Sequence, residues 1–335
     1  MRVGIDARKI ADFGIGTYIR GLLRGLVELN TNDEYVAFGP PGVSLPRGVQ
    51  HVVVDAPHYS VRELLAVGRA ADRAHLDLFH APHYVVPFTR VPVVVTIHDL
   101  IHLHQPLRHS LGLPLARVYA RVMLRRAVHK ARCVLTVTEA VREQVMSELG
   151  AKQVMVTPNG VDARHASGTH ANGFLYVGND KPHKNVDTLL AAFALARREL
   201  PGATLTMAGA DFSRFAEVDA RGFVNDDELS ALYANAIALV MPSHEEGFGL
   251  PAAEAMAHGT AVITSRDPAL VEVTGNAALH VDARDARALA DAMLRVARDS
   301  ELRARLGANG IARARNFTWK RCAEATRAAY EAALR

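Results

Sequence analysis

The sequence contains only two cysteines and a single tryptophan in 335 residues. Cys133 and Cys322 each fall in a segment predicted to be strand or helix, so we expect no disulfide framework and favour a reducing compartment. No apolar run approaches the length of a membrane span, and the first residues, MRVGIDARKI, lead into a strand pattern without a signal peptide. We therefore expect a cytoplasmic protein.

The composition is typical of a globular protein, with 49% hydrophobic and 22% charged residues. Because 335 residues exceed what one ordinary hydrophobic core holds, the length predicts two domains. The excess of basic residues lies in the first half of the chain, whereas the second half carries a small excess of acidic residues.

One segment of the first half, residues 112–132, combines basic and apolar residues at helical spacing. Its cations are Arg117, Arg121, Arg125, Arg126, Lys130 and Arg132. The apolar residues that share one helical face are Leu115, Val118, Tyr119, Val122 and Met123. We predict an amphipathic helix whose apolar stripe faces the core, which is the usual arrangement of a surface helix. The alternative is a helix that binds a membrane surface.

Strand and helix patterns alternate along the chain. Strands are predicted at residues 3–6, 35–38, 51–54, 78–81, 93–98 and 133–137, and again at 174–178, 204–208, 236–241 and 261–264. Helices are predicted at residues 17–29, 61–71 and 112–132, and again at 186–199, 227–234 and 251–257. This alternation predicts an α/β protein with parallel sheets that are covered on both faces.

The pattern is interrupted once, at residues 163–173. This segment, ARHASGTHANG, is small, polar and without a period, so it predicts a linker. The sequence thus predicts two doubly wound, Rossmann-like domains, 1–165 and 172–316, and a last helix within 317–335. Ligands bind at the carboxyl ends of such strands, so we expect the lobes to face each other across a cleft. A dehydrogenase is disfavoured because neither lobe has GxGxxG followed about twenty residues later by an acidic residue.

The most informative segment is residues 239–265, LVMPSHEEGFGLPAAEAMAHGTAVITS. A strand leads into an acidic loop, and Pro251 suits the first position of the helix that follows, where its missing N–H costs nothing. The free amides and positive dipole end of this helix favour an anion. Glu246 lies on the loop and Glu254 in the first helical turn, while Gly247 and Gly249 let backbone amides approach a ligand. We therefore expect a ligand site here.

The spacing of Glu246 and Glu254 within EEGFGLPAAEAMAHGTAVITS resembles the E-x7-E signature of retaining, nucleotide-sugar-dependent glycosyltransferases of family 4. The resemblance continues in collinear order through GIGTY (14–18), PNGVD (158–162), VGNDKPHKN (177–185) and GFVNDDELSALYANA (222–236), and covers nearly the whole chain. It implies the GT-B fold, sugar transfer to an acceptor hydroxyl, and no bound metal or other cofactor. It also implies that a last helix, beginning near Trp319, crosses back to the first lobe.

The resemblance further implies which residues act. Three are catalytic: Glu246 faces the transferred sugar, His98 in VVVTIHDL lies against the donor sugar, and Lys184 binds the diphosphate. The implied donor-binding residues are Gly14, Gly16, Asn179, Gly222, Phe223, Val224, Phe248, Gly249, Leu250 and Glu254. Residues 222–224 are expected to meet the nucleotide base through their backbone, and Glu254 to accept hydrogen bonds from the ribose.

Two residues depart from the family pattern G-x-x-x-P-R-K-N. Asn179 and His183 stand where many relatives carry arginine. Neutralisation of the phosphates therefore falls on Lys184 with less help, or on Lys181. This departure bears on donor affinity and leaves the expected reaction class unchanged.

Two features of the first lobe have a second interpretation. The segment 14–18 is either a loop that closes over the acceptor or the donor phosphate, or a tight turn with Thr17 as helix N-cap. Histidines cluster as His80 with His83, and as His98 with His102 and His104. A zinc site requires ligands that converge on one point. We favour the alternative that His80 and His83 line the cleft or contact the acceptor.

The expected function is transfer of a hexose from a nucleoside diphosphate sugar to a glycan or a lipid-linked glycan in polysaccharide biosynthesis. GDP-mannose is the first expected donor and a UDP-sugar the second. The helix at 112–132 is a candidate contact with the inner face of a membrane, and no nucleic acid partner is expected. Two rival functions are a non-hydrolysing sugar-nucleotide epimerase and a non-catalytic, two-lobed sugar-binding protein.

Overall fold

The computed structural model describes residues 1–54, 56, 60–104, 113–162 and 173–335. These residues form two compact units. Unit 1 consists of Met1–Gly160 together with Thr318–Arg335, and unit 2 consists of Val161–Phe317. The linker predicted at 163–173 lies outside the described residues as far as residue 172, and Gly173 already belongs to a strand.

Unit 1 is built on a parallel sheet to which the described residues contribute seven strands. The strands are β1 (Arg2–Asp6), β2 (Glu34–Gly39), β3 (Val49–Val53), β4 (Leu78–Ala81), β5 (Val93–Ile97), β6 (Cys133–Thr136) and β7 (Val154–Val156). Their order is β3-β2-β1-β4-β5-β6-β7, and all neighbours are parallel. The helices between them are α1 (Ile15–Glu28), α2 (Val61–Arg73), α3 (Ile101–His104), α4 (Leu113–Lys130) and α5 (Glu139–Leu149).

Unit 2 repeats this plan with a second parallel sheet, of six strands among the residues described. The strands are β8 (Gly173–Val177), β9 (Thr204–Ala208), β10 (Asp219–Gly222), β11 (Ala238–Met241), β12 (Ala261–Ser265) and β13 (Ala278–Val281), in the order β10-β9-β8-β11-β12-β13. The helices are α6 (Val186–Glu199), α7 (Asp226–Asn235), α8 (Leu250–Ala257), α9 (Pro268–Thr274), α10 (Ala286–Arg298) and α11 (Ser300–Ala314). Short 3-10 helices lie at Pro182–Lys184 and Gly275–Ala277. The predicted α/β class with two doubly wound sheets is confirmed.

The central strands of both sheets are buried on two faces, as the continuous apolar runs of the sequence indicate. Every residue of β5, VVVTI, is buried, and so is every residue of β11 and β12. In each unit the strand order reverses direction beside the first strand, between β1 and β4 in unit 1 and between β8 and β11 in unit 2. Such a switch point opens a crevice at the carboxyl ends of the two strands, where ligands bind in open α/β sheets.

The last helix, α12 (Trp319–Leu334), belongs to unit 1. The Thr318 hydroxyl caps it by accepting the Arg321 N–H at 3.2 Å. Trp319 is buried against α1, and a Cβ atom added at Gly21 would lie 2.2 Å from its indole ring. A Cβ at Gly25 would lie 2.5 Å from the Trp319 carbonyl oxygen. The close approach of α1 and α12 therefore requires glycine at both positions.

Helix α4 buries the predicted apolar stripe only in part: Met123 packs against the core of unit 1, whereas the two valines of the stripe do not. Val118 and Val122 are 61% and 52% exposed, whereas Ala120, Leu124 and Ala127 are buried in the core of unit 1. The prediction that the two valines face the core is wrong, because Ala120, Leu124 and Ala127 form a second apolar face, and it is this face that packs on the core cluster. Among the described helices, α4 included, none combines the length and the apolarity needed to cross a membrane.

Candidate active site

The candidate site of unit 2 lies at its switch point. β8 and β11 are neighbours in the sheet, with Phe174 beside Ala238 and Leu175 beside Leu239. The segment after β8 carries Lys184, and the segment after β11 carries Glu246. Because both segments leave the carboxyl ends of adjacent parallel strands, the topology brings them together.

Lys184 and Glu246 form a direct ion pair. The Lys184 Nζ donates to Glu246 Oε1 at 2.6 Å, and the two side chains are only 13% and 9% exposed. A pair shielded to this degree is screened less by salt than a surface pair. The geometry thus joins the residue predicted to bind the diphosphate to the residue predicted to face the sugar.

Further hydrogen bonds hold the two segments together around this pair. The His244 N–H donates to the His183 carbonyl at 2.7 Å. The Asn185 side-chain amide donates to the carbonyls of Pro242 at 2.9 Å and Ala283 at 2.6 Å. Asn185 itself has a φ of +58°, which asparagine tolerates better than most residues and which turns the chain into α6. Asn185 therefore locks the Lys184 turn onto the Glu246 loop.

Helix α8 follows the Glu246 loop and starts at a glycine in the left-handed conformation. Gly249 is its N-cap with a φ of +81°, and a Cβ atom there would lie 2.4 Å from Leu270 Cδ2. The helix begins at Leu250, so Pro251 occupies its second position and the prediction that it occupies the first is wrong. The side chain of Phe248 points into the core, where its ring packs edge-on against Phe317 at 5.3 Å.

Glu254 lies one turn into α8 and contacts Tyr233 of α7. The Tyr233 hydroxyl donates to Glu254 Oε2 at 2.7 Å. Burial raises the pKa of the Glu254 carboxyl to about 7, with smaller contributions from the charges of Asp226 and Asp162, while the Tyr233 hydrogen bond opposes the shift. The prediction that Glu254 lies in the first turn is wrong by about one residue, because the helix starts earlier than expected.

The remaining predicted donor-binding residues of unit 2 lie after β8 and β10. The Asn179 side chain accepts the Lys181 N–H at 3.2 Å, and its carbonyl accepts the Tyr176 hydroxyl. Gly222 has a φ of +63°, and its carbonyl accepts the Gly209 N–H at 2.7 Å. Phe223, the next residue, is 73% exposed. These residues present backbone groups and one large exposed ring at the carboxyl end of the sheet.

In unit 1, the segment 14–18 forms the start of α1. Gly14 is the N-cap with a φ of +63°, and the helix begins at Ile15. A Cβ atom at Gly16 would lie 2.5 Å from the Ile10 carbonyl oxygen, so only glycine fits. The alternative in which Thr17 is the N-cap is wrong, because Thr17 already lies inside the helix, where its hydroxyl accepts from Arg20 at 3.2 Å.

His98 follows β5 and packs against this same segment. Its ring meets the Tyr18 ring edge-on, with centroids 4.7 Å apart, and its Nε2 lies 3.1 Å from the Pro82 carbonyl oxygen. Burial lowers the pKa of His98, although the charge of Asp99 and the Pro82 carbonyl oppose the shift. The imidazole is therefore neutral near pH 7.

His80 and His104 of unit 1 have separate partners. His80 is fully buried, and its two ring nitrogens lie 2.7 Å from the Tyr330 hydroxyl and 2.8 Å from the Thr96 hydroxyl. The prediction that His80 lines a cleft or contacts the acceptor is wrong, because the ring is enclosed between β4, β5 and α12. The His104 ring bonds the Glu148 carboxylate at 3.0 Å. Across the part of the chain that the structure describes, no three His, Cys, Asp or Glu residues group as metal ligands.

Three residues at the unit 2 site were not predicted. Asn185 and Tyr233 both fall inside segments that carry the family resemblance, so the motif could have indicated them. Asp267 caps α9 by accepting the Leu270 N–H at 3.1 Å, and burial raises its pKa to about 6, with a contribution from the charge of Glu246. Its sequence signal is that of an ordinary N-cap before proline, which does not indicate a neighbouring carboxylate.

Comparisons with known proteins agree with this geometry. Residues 14–165 match the model described as Glycosyltransferase Family 4, and residues 162–313 match Glycosyl transferases group 1. Glycogen synthase of Mycobacterium tuberculosis is 32% identical over 81% of this chain and 75% of its own length. O-antigen chain mannosyltransferase B of Escherichia coli is 29% identical over 76% and 74%.

Solved structures show the same fold. Sucrose-phosphate synthase from Thermosynechococcus elongatus superimposes with a TM-score of 0.83 at 20% identity, covering 99% of this chain and 98% of that one. Together with the paired α/β sheets and the two matched family models, this likeness identifies the GT-B fold. The chain belongs to glycosyltransferase family 4 and is a nucleotide-sugar glycosyltransferase.

Proposed function

We propose that this protein transfers a hexose from a nucleoside diphosphate sugar to a hydroxyl of a glycan or lipid-linked glycan, with retention of the anomeric configuration. The observation that carries the proposal is the shielded Lys184–Glu246 pair at the β8/β11 switch point. A lysine held at this position is suited to a diphosphate, and a carboxylate beside it is suited to the hydroxyls of the attached sugar.

The leaving diphosphate needs positive charge at the moment the glycosidic bond breaks. Lys184 supplies one charge, and the amides at the start of α8 supply a partial positive charge from the helix dipole. Because Asn185 ties the Lys184 turn to the loop that precedes α8, both groups are held in one rigid arrangement. Such preorganised charges stabilise a transition state without reorganising as it forms.

Retention is proposed to follow a same-face mechanism. The departing phosphate accepts the proton of the acceptor hydroxyl, and that hydroxyl attacks the face from which the phosphate leaves. Glu246 and His98 orient the sugar while it passes through an oxocarbenium-like state. Glu254 accepts hydrogen bonds from the ribose, and the backbone of residues 222–224 meets the base. Gly14 and Gly16 let the start of α1 approach the donor phosphate or the acceptor.

GDP-mannose is the first proposed donor, because a mannosyltransferase of Escherichia coli is among the similar proteins. A UDP-sugar is the second. The direct test is a thermal-shift panel with GDP, UDP and ADP sugars, because a ligand that binds only the native state raises the apparent stability. Stabilisation by one base class identifies the donor. NMR of the product then reads the anomeric configuration, and an inverted product would contradict the proposed mechanism.

The two rival functions give different results in the same assays. An epimerase would invert a sugar carbon of the free donor without any acceptor. A sugar-binding protein would leave the donor intact after prolonged incubation with every acceptor tried. Transfer that depends on an acceptor excludes both.

We further propose that the protein works at the inner face of a membrane, through the helix predicted at 112–132. The support is the outward face of α4, where Val118 and Val122 are exposed beside Arg121 and Arg125. Apolar side chains between cations suit an interface with anionic lipids. Sedimentation with vesicles of anionic lipid, compared with neutral vesicles, tests this. Equal recovery in the two supernatants would contradict it.

A further inference from the structure

A continuous chain of hydrogen bonds runs through the interior of unit 1, from α12 to α1. It starts at the Tyr330 hydroxyl, which lies 2.7 Å from Nδ1 of His80. Nε2 of His80 lies 2.8 Å from the Thr96 hydroxyl, which in turn lies 3.0 Å from the Tyr18 hydroxyl. All four side chains are fully buried. These hydrogen bonds therefore hold the Tyr18 ring at its hydroxyl end, in a place where water does not compete for them.

The Tyr18 ring forms one wall of the His98 site. Its edge-on contact with His98, at 81° between the ring planes, fixes the tilt of the imidazole. On the other side, a carbonyl oxygen of Pro82 can only accept, so Nε2 of His98 carries the hydrogen. The lone pair then lies on Nδ1. Tyr18 and Pro82 together select one tautomer and one orientation of the ring.

The groups of this chain are held neutral. Burial lowers the pKa of His80 to about 3, with a smaller contribution from His98. Burial also raises the pKa of the Tyr18 and Tyr330 hydroxyls. A neutral histidine has one donor and one acceptor nitrogen, so it can link two hydroxyls in a fixed sequence. His80 is thus suited to transmit the position of Tyr330 to Thr96.

We propose that Tyr18 is a positioning residue for His98, and that Tyr330 and His80 hold Tyr18 in place, so that the seating of α12 sets the orientation of His98. The proposal rests on the proposed function, in which His98 contacts the donor sugar. His98 in this arrangement presents Nδ1 as an acceptor for a sugar hydroxyl. None of the three positioning side chains needs to touch the substrate.

The decisive variants remove one link at a time. Tyr330→Phe deletes the hydroxyl at the α12 end, Tyr18→Phe deletes the bond to Thr96 and keeps the ring, and Tyr18→Leu removes the wall itself. Tyr35→Phe is the matched control, because Tyr35 is buried in the same core cluster and its hydroxyl is not a member of this chain. Each protein is measured for kcat, KM, binding of the free nucleoside diphosphate and unfolding midpoint.

We expect Tyr18→Leu to lower kcat by roughly tenfold and the two Tyr→Phe variants by about threefold, as a misoriented group costs rate more than binding. Binding of the free nucleoside diphosphate and the properties of Tyr35→Phe should stay close to those of the wild type. A purely structural role would lower the unfolding midpoint and leave kcat unchanged.

A spectroscopic readout separates this proposal from the proposed function. In protein labelled with 15N-histidine, NMR should report His98 as the Nε2–H tautomer, and Tyr330→Phe and Tyr18→Leu should shift its ring resonances whereas Tyr35→Phe should not. Unshifted His98 resonances in both variants would overturn the positioning role. If those resonances shift but His98→Ala retains full transfer activity, the positioning chain stands and the proposed role of His98 fails.

Discussion

Lys184 donates to Glu246 across 2.6 Å, although the two residues are 62 positions apart in the sequence. The pair lies where two adjacent parallel strands end, and each partner is shielded from solvent. A diphosphate that binds Lys184 must share this cation with Glu246 or displace the carboxylate towards the sugar. The ion pair thereby couples the position of the phosphate to the position of the residue proposed to orient the sugar.

Glu246→Gln should lower kcat by roughly 100-fold or more, because an electrostatic contact that acts mainly in the transition state is lost. Binding of the free nucleoside diphosphate should not weaken, since Glu246 is proposed to face the sugar and its loss leaves Lys184 free for the phosphates. Isothermal titration beside a turnover assay measures both quantities. Glu245→Gln removes the same charge from the neighbouring position and serves as control. Near-normal turnover of Glu246→Gln would remove Glu246 from the mechanism.

Lys184→Ala should weaken binding of the nucleoside diphosphate by roughly 1.5–3 kcal/mol, the cost of a charge-assisted contact. Binding of the nucleoside without phosphates should change little. Lys181→Ala is the informative comparison, because Lys181 is the alternative cation and lies at the exposed start of the same 3-10 helix. A larger loss in Lys181→Ala than in Lys184→Ala would transfer the phosphate role to Lys181.

Glu254 should make the stability of unit 2 depend on pH. Burial raises its pKa to about 7, above the unfolded value near 4.3. Folding therefore favours the protonated carboxyl, and this contribution is fully present below about pH 4 and is lost as pH rises through 7. The Gln side chain of Glu254→Gln cannot ionise. The unfolding free energy of this variant minus that of the wild type should therefore be roughly 1–2 kcal/mol higher at pH 8 than at pH 5.5.

Urea unfolding of both proteins at the two pH values measures this difference. Glu301→Gln, at an exposed position of α11, is the control. Its unfolding free energy should differ from that of the wild type by the same amount at pH 5.5 and pH 8. If Glu254→Gln differs from the wild type by the same unfolding free energy at both pH values, the Glu254 carboxyl of the folded protein is ionised throughout this pH range. The same variant should bind the nucleotide more weakly, because the ribose loses a carboxylate acceptor.

Because α1 packs closely on α12, we expect that a single methyl group added to α1 lowers the stability of the protein. Gly21→Ala would bring a Cβ atom to 2.2 Å from the Trp319 ring, so we expect a loss of roughly 1–3 kcal/mol in unfolding free energy from overpacking. Trp319→Ala should cost about 3–5 kcal/mol through the cavity it leaves. Gly202→Ala is the control, because a Cβ atom there meets nothing within 4 Å. Thermal unfolding that is unchanged in Gly21→Ala would contradict this packing.

We expect turnover to be insensitive to chelators. Lys184 and the start of α8 already supply positive charge for the diphosphate, and ring nitrogens of His80, His98 and His104 are bonded to a hydroxyl, a carbonyl and a carboxylate. Metal analysis of the purified protein should give far less than about one ion per chain, the amount a resident site would hold. Activity that a strong chelator abolishes and zinc or manganese restores would make the histidines the centre of the chemistry.

Strong periodicity made part of the fold predictable. The bounds of α6 and β9 agree with the predicted 186–199 and 204–208, because an amphipathic helix and a buried strand are separated there by a proline–glycine turn. β10 is half exposed and contains two charged residues, so no apolar run marks it. Apart from the last helix, no element was predicted after residue 264. The structure has α10 in this region, although the buried residues of that helix recur at helical spacing and could have indicated it.

The candidate site was predictable residue by residue but not as a set of contacts. The family motifs named Lys184, Glu246 and Glu254, yet their partners depend on which strands become neighbours. The Tyr233–Glu254 bond joins two helices, and the burial that shifts the Glu254 pKa arises only when they pack. The wrong prediction for His80 has the same origin, because its burial is completed by Tyr330, 250 positions away.

The chain leaves unit 1 and returns to it at neighbouring residues, since the Val161 N–H donates to the Phe317 carbonyl at 3.0 Å. During synthesis, the glycine-lined face of α1 therefore emerges about 300 residues before the tryptophan that covers it. At roughly 5–20 residues per second, this interval lasts on the order of 15–60 s. The ribosome thus delivers all of unit 2 while unit 1 still lacks its last helix. The core of unit 1, the half that is made first, can therefore be completed only after all of unit 2 has been synthesised.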